Sequence, residues 1–166
     1  MIAAVDVQYE EGCGYAACIT FADWTASAAT HEYSCRQDSV GEYQPGEFWK
    51  RELPCLVAVL ALVDPLPQVI VIDGYVWLDG EGRPGLGARL FEALGGRASV
   101  VGVAKTAFRG SEHAARVLRP SSERPLFVTA HGIPLAEAAE HVGRMAGAYR
   151  IPDLLKRADQ LARQRR

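Results

Sequence analysis

Two carboxylates stand where an unpaired acid is expensive. Asp6 lies inside the apolar run AAVDVQ, and Asp73 ends VIVIDG, the most hydrophobic segment of the chain. Burying an ionised group costs on the order of several kcal/mol unless a partner offsets it. On neighbouring central strands the two side chains would converge. Such a pair suits a hard divalent ion such as magnesium, which takes a few carboxylates and keeps several waters. The competing arrangement is two strand-end acids that cap backbone or pair with arginine. Glu52 follows a run of special residues, Tyr43, Pro45, Gly46, Phe48 and Arg51, and precedes Pro54. Taken alone, it is an acid one turn before a helix, favoured there by the helix dipole. Lys105 ends the strand-like VVGVAK. His131 sits between a strand and a helix in VTAHGIPLAE. In a parallel arrangement both would lie at the end of the sheet where sites form.

Other features carry less chemistry. Gly80, Gly82 and Gly85 match a GxGxxG spacing, but the strand before them is not the first of a βαβ unit and Pro84 intervenes. A tight turn explains these glycines better than dinucleotide binding. His31, His113 and His141 have no motif around them. The cysteines, Cys13, Cys18, Cys35 and Cys55, form no CxxC pair, and Cys18 and Cys55 fall in apolar stretches. Neither disulfides nor zinc is expected. The net charge of −2 argues against holding nucleic acid by bulk charge. The segment from Lys156 to Arg166 is nonetheless basic, with five basic residues and one acidic. It is either a phosphate-touching tail or a solvated helix end.

The elements that position these residues follow from pattern. The chain has 166 residues, 49% of them hydrophobic and 23% charged, which fits one domain over 1–166 with a full core. The longest apolar run, Cys55 to Val63, is far short of a bilayer span. The start lacks a signal-peptide pattern, so a cytoplasmic protein with no membrane partner is expected. Strands are predicted over 2–9, 14–22 and 27–35 as an antiparallel meander. A helix is predicted from Pro54, as its first-turn proline, to about Val63. Strands are predicted over 68–74 and 98–104 with a helix over 84–95 between them, then a strand over 124–130 and helices over 135–150 and 153–164. The order βββαβαβ followed by helices gives an α/β fold with one mixed sheet, three antiparallel strands and then parallel ones. This matches the ribonuclease H-like arrangement.

Read together, the segments resemble the endonuclease V family. AAVDVQY resembles its first strand with a metal-binding Asp. YQPGEFWKRELP resembles its Tyr-x-Pro-Gly…Phe-Arg-Glu segment. VIVIDG, RPGLGARL, VVGVAK, HGIPLAEA and YRIPDLLKRADQLA follow in family order, so the likeness runs from residue 3 to about 162. The resemblance implies a metal-dependent endonuclease that cuts DNA or RNA near deaminated bases, chiefly inosine, one bond beyond the lesion on the 3′ side. It implies that Asp6, Asp73 and Glu52 hold Mg2+, with Mn2+ as a substitute, and that Lys105 and His131 stand near the scissile phosphate. Tyr43, with Pro45 and Gly46, would form a strand-separating wedge. The backbone near Phe48 and Gly74 would line the pocket for the flipped base. The expected protein is a monomer.

This is a short and divergent member by these features. It begins at the first strand, without the helical segment usual before it. The wedge reads Glu42-Tyr43-Gln44-Pro45 in place of Pro-Tyr-Ile-Pro. Val76 and Asp79 stand where the family usually has Gly and His. Asp79 either faces the nucleic acid or caps the turn Asp-Gly-Glu-Gly. The rival reading is a catalytically weak or inactive nucleic-acid-binding module on the same fold; a small-molecule phosphohydrolase is the third.

Overall fold

Alternating apolar positions set up a sheet that is buried on both sides. The computed structural model describes residues 1–107 and 109–164, so Arg165 and Arg166 of the basic tail lie outside the described residues. β1 (Ile2–Glu10), β2 (Cys13–Phe21) and β3 (His31–Gln37) form the expected antiparallel meander. β4 (Val69–Asp73) pairs parallel with β1, and β5 (Ser99–Ala104) pairs parallel with β4. β6 (Ala115–Val117) and β7 (Leu126–His131) complete a seven-stranded sheet in the order β3-β2-β1-β4-β5-β7-β6.

Two of these features differ from the sequence reading. β6 was not anticipated. β7 runs antiparallel to β5, with Val100 opposite His131 and Ala104 opposite Phe127. The reason is physical. Among the described residues no crossover helix lies between β5 and β7, and a parallel partner needs one. The chain therefore turns back through a short 3-10 turn and β6 before entering β7.

Among the described residues four α-helices cover the sheet. α1 (Phe48–Leu60) and α2 (Leu86–Ala93) pack on the face lined by Ala3, Val5, Val7, Ile70, Ile72 and Val100. α3 (Leu135–Arg144) and α4 (Asp153–Arg163) pack on the face lined by Ala4, Val71, Val101, Val103 and Val128. No helix among the described residues is long and apolar enough to cross a membrane. α1 begins six residues before Pro54, which lies inside the helix and not at its first turn. The buried positions Glu52, Cys55, Leu56, Val59 and Leu60 explain this, because their spacing puts them on one helical face. Glu52 thus belongs to the core-facing stripe and not to a solvated helix start.

α3 ends six residues earlier than expected. There the chain turns to reach α4, and Arg119 organises the turn. Its buried guanidinium donates to the carbonyls of Val142, Gly143, Met145, Gly147 and Tyr149. These groups include helix-end carbonyls that have no intrahelical partner. Without Arg119 several buried acceptors lose their donor. Arg119→Ala is therefore expected to lower unfolding free energy by about 2–4 kcal/mol. Urea denaturation read by circular dichroism measures it, and a change within about 0.5 kcal/mol would show that the turn holds without the clamp.

Candidate active site

The carboxylates meet at the carboxyl ends of β1 and β4. Val5 is the partner of Ile72, so Asp6 and Asp73 lie one step beyond on adjacent strands, spaced about 4.8 Å apart in a sheet. By alternation both fall with Ala4 and Val71 on the α4 face. Asp6 is buried and accepts the Val7 N–H at 2.9 Å. Asp73 is half-exposed, and its Oδ2 lies 2.8 Å from Lys105 Nζ, one residue past β5. Glu52 reaches the same sheet end from α1. It is buried, and its Oε2 has no hydrogen-bond partner.

Two glycines allow this convergence. Gly74 turns the chain out of β4 with φ of 137°, in the region that favours glycine. The chain then crosses directly over Gly102 in β5. A Cβ there would stand 2.5 Å from the Gly74 carbonyl oxygen and 2.7 Å from Thr129 Oγ1, which accepts the Val76 N–H.

One acid escaped the sequence reading. Asp159, from α4, shares a hydrogen bond with Asp6. Gln8 Nε2 bridges the pair, at 3.4 Å from Asp6 Oδ2 and 3.1 Å from Asp159 Oδ1. In sequence Asp159 is an ordinary helix residue four before Arg163, and it does pair with Arg163 at 2.9 Å. Only the docking of α4 against β1 brings it to the site.

The electrostatics record crowding of like charges. Burial, then the charges of Asp73 and Asp159, pushes the Asp6 carboxyl from its ordinary 3.8 to about 7. Burial, then the charges of Asp6 and Asp73, pushes Glu52 from 4.5 to about 8. Burial works against the Lys105 ammonium, but the Asp73 carboxylate more than offsets it, and its pKa is raised. For Asp159 burial is likewise outweighed, here by Arg163 and by the hydrogen bond from Asp6, and its pKa is lowered.

These donors are all hard oxygens, and the bare Glu52 Oε2 belongs to a carboxyl that feels the charges of Asp6 and Asp73. The chemistry fits a divalent cation of the magnesium kind. As placed, no three of His, Cys, Asp and Glu among the described residues meet closely enough to share one ion. Lys105 supplies the cation nearest to Asp73.

The structure does not bring His131 to this cluster. Its β7 position lies opposite Val100, whereas Asp73 lies opposite Val103. That is three residue steps along the sheet and two strands across, on the order of 14 Å. His131 also falls on the opposite face, against Phe91 at 3.8 Å and Trp77 at 5.0 Å between ring centroids. The expectation for His131 assumed a parallel strand, and the antiparallel pairing reverses which end it occupies.

The remaining segments lie at the carboxylate end. Tyr43, Pro45 and Gly46 form an exposed loop before α1, and the Tyr43 ring meets Phe48 edge-on at 6.3 Å. Gly74 directly follows Asp73. Asp79 is engaged with its own turn, since Oδ1 accepts the N–H of Glu81 at 2.9 Å and of Arg83 at 3.1 Å. Those bonds hold its pKa below the usual range. Capping, the second of the two readings of Asp79, is the one its contacts support.

Comparison with known proteins agrees with this geometry. The family model for endonuclease V matches residues 1–160. An endonuclease V of Streptomyces avermitilis is 30% identical over 189 residues, covering 98% of this chain and 79% of the relative. One from Azotobacter vinelandii is also 30% identical, covering 99% and 83%. The crystal structure of the Streptomyces avermitilis endonuclease V superposes with a TM-score of 0.76 at 25% identity, covering 98% of this chain and 79% of that one. Endonuclease V of Ciona intestinalis, in complex with a 24mer DNA containing an inosine followed by a ribo-adenosine, superposes with a TM-score of 0.82 at 20% identity, covering 98% and 84%. The sheet order is accordingly ribonuclease H-like.

The raised acids make folding pH-dependent. Asp6 and Glu52 bind protons more tightly folded than unfolded, so their contribution is full below about pH 4 and is lost as pH rises through about 7 and 8. In EDTA, unfolding free energy is expected to fall between about pH 5 and pH 8, and Asp6→Asn should flatten the lower part of that slope. Denaturant titrations across this range measure it; equal slopes in wild type and variant would show that Asp6 titrates as a solvated acid.

Proposed function

The chain belongs to the endonuclease V family, and from that membership we propose that it is a magnesium-dependent endonuclease acting 3′ to a deaminated base, inosine, in DNA or RNA. The observation that carries this reading is the convergence of Asp6, Glu52 and Asp73, with Lys105, at one sheet end. The inosine-containing DNA held by the Ciona intestinalis relative supports the choice of substrate.

Asp6, Asp73 and Glu52 are the residues that would hold Mg2+, or Mn2+ in its place. A bound ion supplies charge neutralisation at the phosphodiester and lowers the pKa of water. The chain's own groups do the rest. Lys105 Nζ sits at the mouth of the cluster, where an ammonium offsets the charge of a phosphate brought against three carboxylates. Glu52 Oε2, which has no donor, would accept a proton from the attacking water once the group is ionised. Asp159 and Gln8 fix the Asp6 carboxyl. Tyr43, with Pro45 and Gly46, would fill the gap beside a displaced base, and the backbone at Phe48 and Gly74 would line its pocket. His131 is left with a packing role under the Trp77 loop.

Labelled inosine-containing DNA and RNA, single-stranded and duplex, incubated with Mg2+ or EDTA, test the proposal. Cleavage at the second phosphodiester 3′ of inosine is expected with Mg2+ only. Asp6→Ala and Asp73→Ala are each expected to lower the rate on the order of a hundredfold or more while the fold survives, since removing one acid relieves repulsion. Tyr43→Ala should weaken cleavage of duplexes more than of single strands, because only a duplex leaves a gap to fill. Tight binding without cleavage under every ion condition would instead support the non-catalytic binding module.

A further inference from the structure

Beside the carboxylates, on the α4 face, a cavity of about 340 Å3 opens between the ends of β1, β4 and β5 and the start of α4. Its depth is apolar, with Ala4, Val71 and Val103 from the sheet and Ile151, Leu155 and Ala158 opposite. Asp6, Asp73, Lys105 and Asp159 stand at one edge of the same cavity. At the outer rim are Tyr149, 69% exposed, and Lys156, also exposed and with no ion partner among the described residues.

The rim is fixed in place from below. Arg119 donates to the Tyr149 carbonyl, and the neighbouring Arg150 donates to the carbonyls of Lys105, Arg124 and Pro125. Arg150 is therefore committed to the backbone, and Lys156 is the rim cation left for a ligand. An exposed aromatic ring over an apolar slot, with a cation beside it, suits a flat neutral ring joined to a phosphate. The volume lies in the range that holds a small organic ligand.

We propose that this cavity is a subsite for the nucleotide immediately 3′ of the cut, with its base stacked on Tyr149 and the next phosphate, on its 3′ side, facing Lys156. The inference rests on the proposed endonuclease reading and extends it to the far side of the scissile bond. The side follows from the fold. Tyr43 and Phe48 stand at α1, and the loop after Gly74 crosses Gly102 onto the α1 and α2 face, so the lesion lies toward that face. A strand that continues over the carboxylates emerges on the α4 face, where the cavity lies. Base–aromatic stacking tolerates any base, so this subsite adds affinity without sequence preference.

The test pairs a protein change with a substrate change. Two single strands containing inosine are compared, one intact and one carrying a tetrahydrofuran abasic nucleotide immediately 3′ of the bond that is cut. For wild type, loss of the base is expected to raise KM about tenfold, within the range that stacking one base is worth. Tyr149→Ala should raise KM on the intact strand by the same factor and leave the abasic strand no worse. Tyr149→Phe should keep the wild-type values on both. Lys156→Ala should raise KM equally on both strands and weaken its salt dependence. Effects of Tyr149→Ala and of the abasic nucleotide that multiply, or no effect of either, would overturn the subsite and leave the endonuclease reading standing. A wild-type protein that cleaves neither strand overturns both.

Discussion

Asp6 and Glu52 are buried, both sense the charge of Asp73, Glu52 senses that of Asp6 as well, and both hold protons far above the normal carboxylate range. A fold does not gather such groups for stability, because the unbound cluster opposes folding as pH rises. The Gln8 amide between Asp6 and Asp159, and the Lys105 ammonium against Asp73, offset part of the repulsion. The Lys105 pair is about half exposed, so its contribution is small, in the range of about 0–1 kcal/mol. The rest is not offset within the protein, and Glu52 Oε2 is left without any donor.

Each structural feature near the site follows from holding that cluster in place. The parallel pairing of β1 with β4 sets Asp6 beside Asp73. The core stripe of α1 carries Glu52 inward with Leu56 and Val59. Gly102 lets the chain leave β4 across β5, which frees the ends of both strands. Arg119 closes α3 and directs the chain into α4, and α4 delivers Asp159. The sheet then has two working faces at one end, with the aromatic loop and the Trp77 segment on one side and the apolar cavity on the other.

Much of this was legible in the sequence, and the exceptions have physical causes. Asp6 and Asp73 stand out because an acid inside an apolar strand demands a reason. Glu52 stands out in the sequence only through the family resemblance, because Pro54 invites a helix start two residues too late to include it in the helical stripe of Leu56 and Val59. Asp159 was not legible. DLLKRADQLAR has the pattern of a solvated helix face, and an i,i+4 partner in Arg163 makes its acid look accounted for. His131 was misplaced because strand direction decides which sheet end a residue occupies, and direction is a tertiary property. The missing crossover helix between Lys105 and Leu126 was the available clue. Asp79 resolved as the turn Asp-Gly-Glu-Gly suggests, through its own backbone contacts.

The central claim is that the carboxylates hold protons which a divalent cation must displace. Calorimetric titration of the protein with MgCl2, without nucleic acid and in two buffers of different ionisation heat, tests it directly, because metal binding to protonated ligands releases protons. At pH near 7 the account predicts release of about one proton per ion bound, falling toward zero near pH 9, where Asp6 and Glu52 are already ionised. Binding with no proton release at neutral pH, or no binding at any pH, would contradict it.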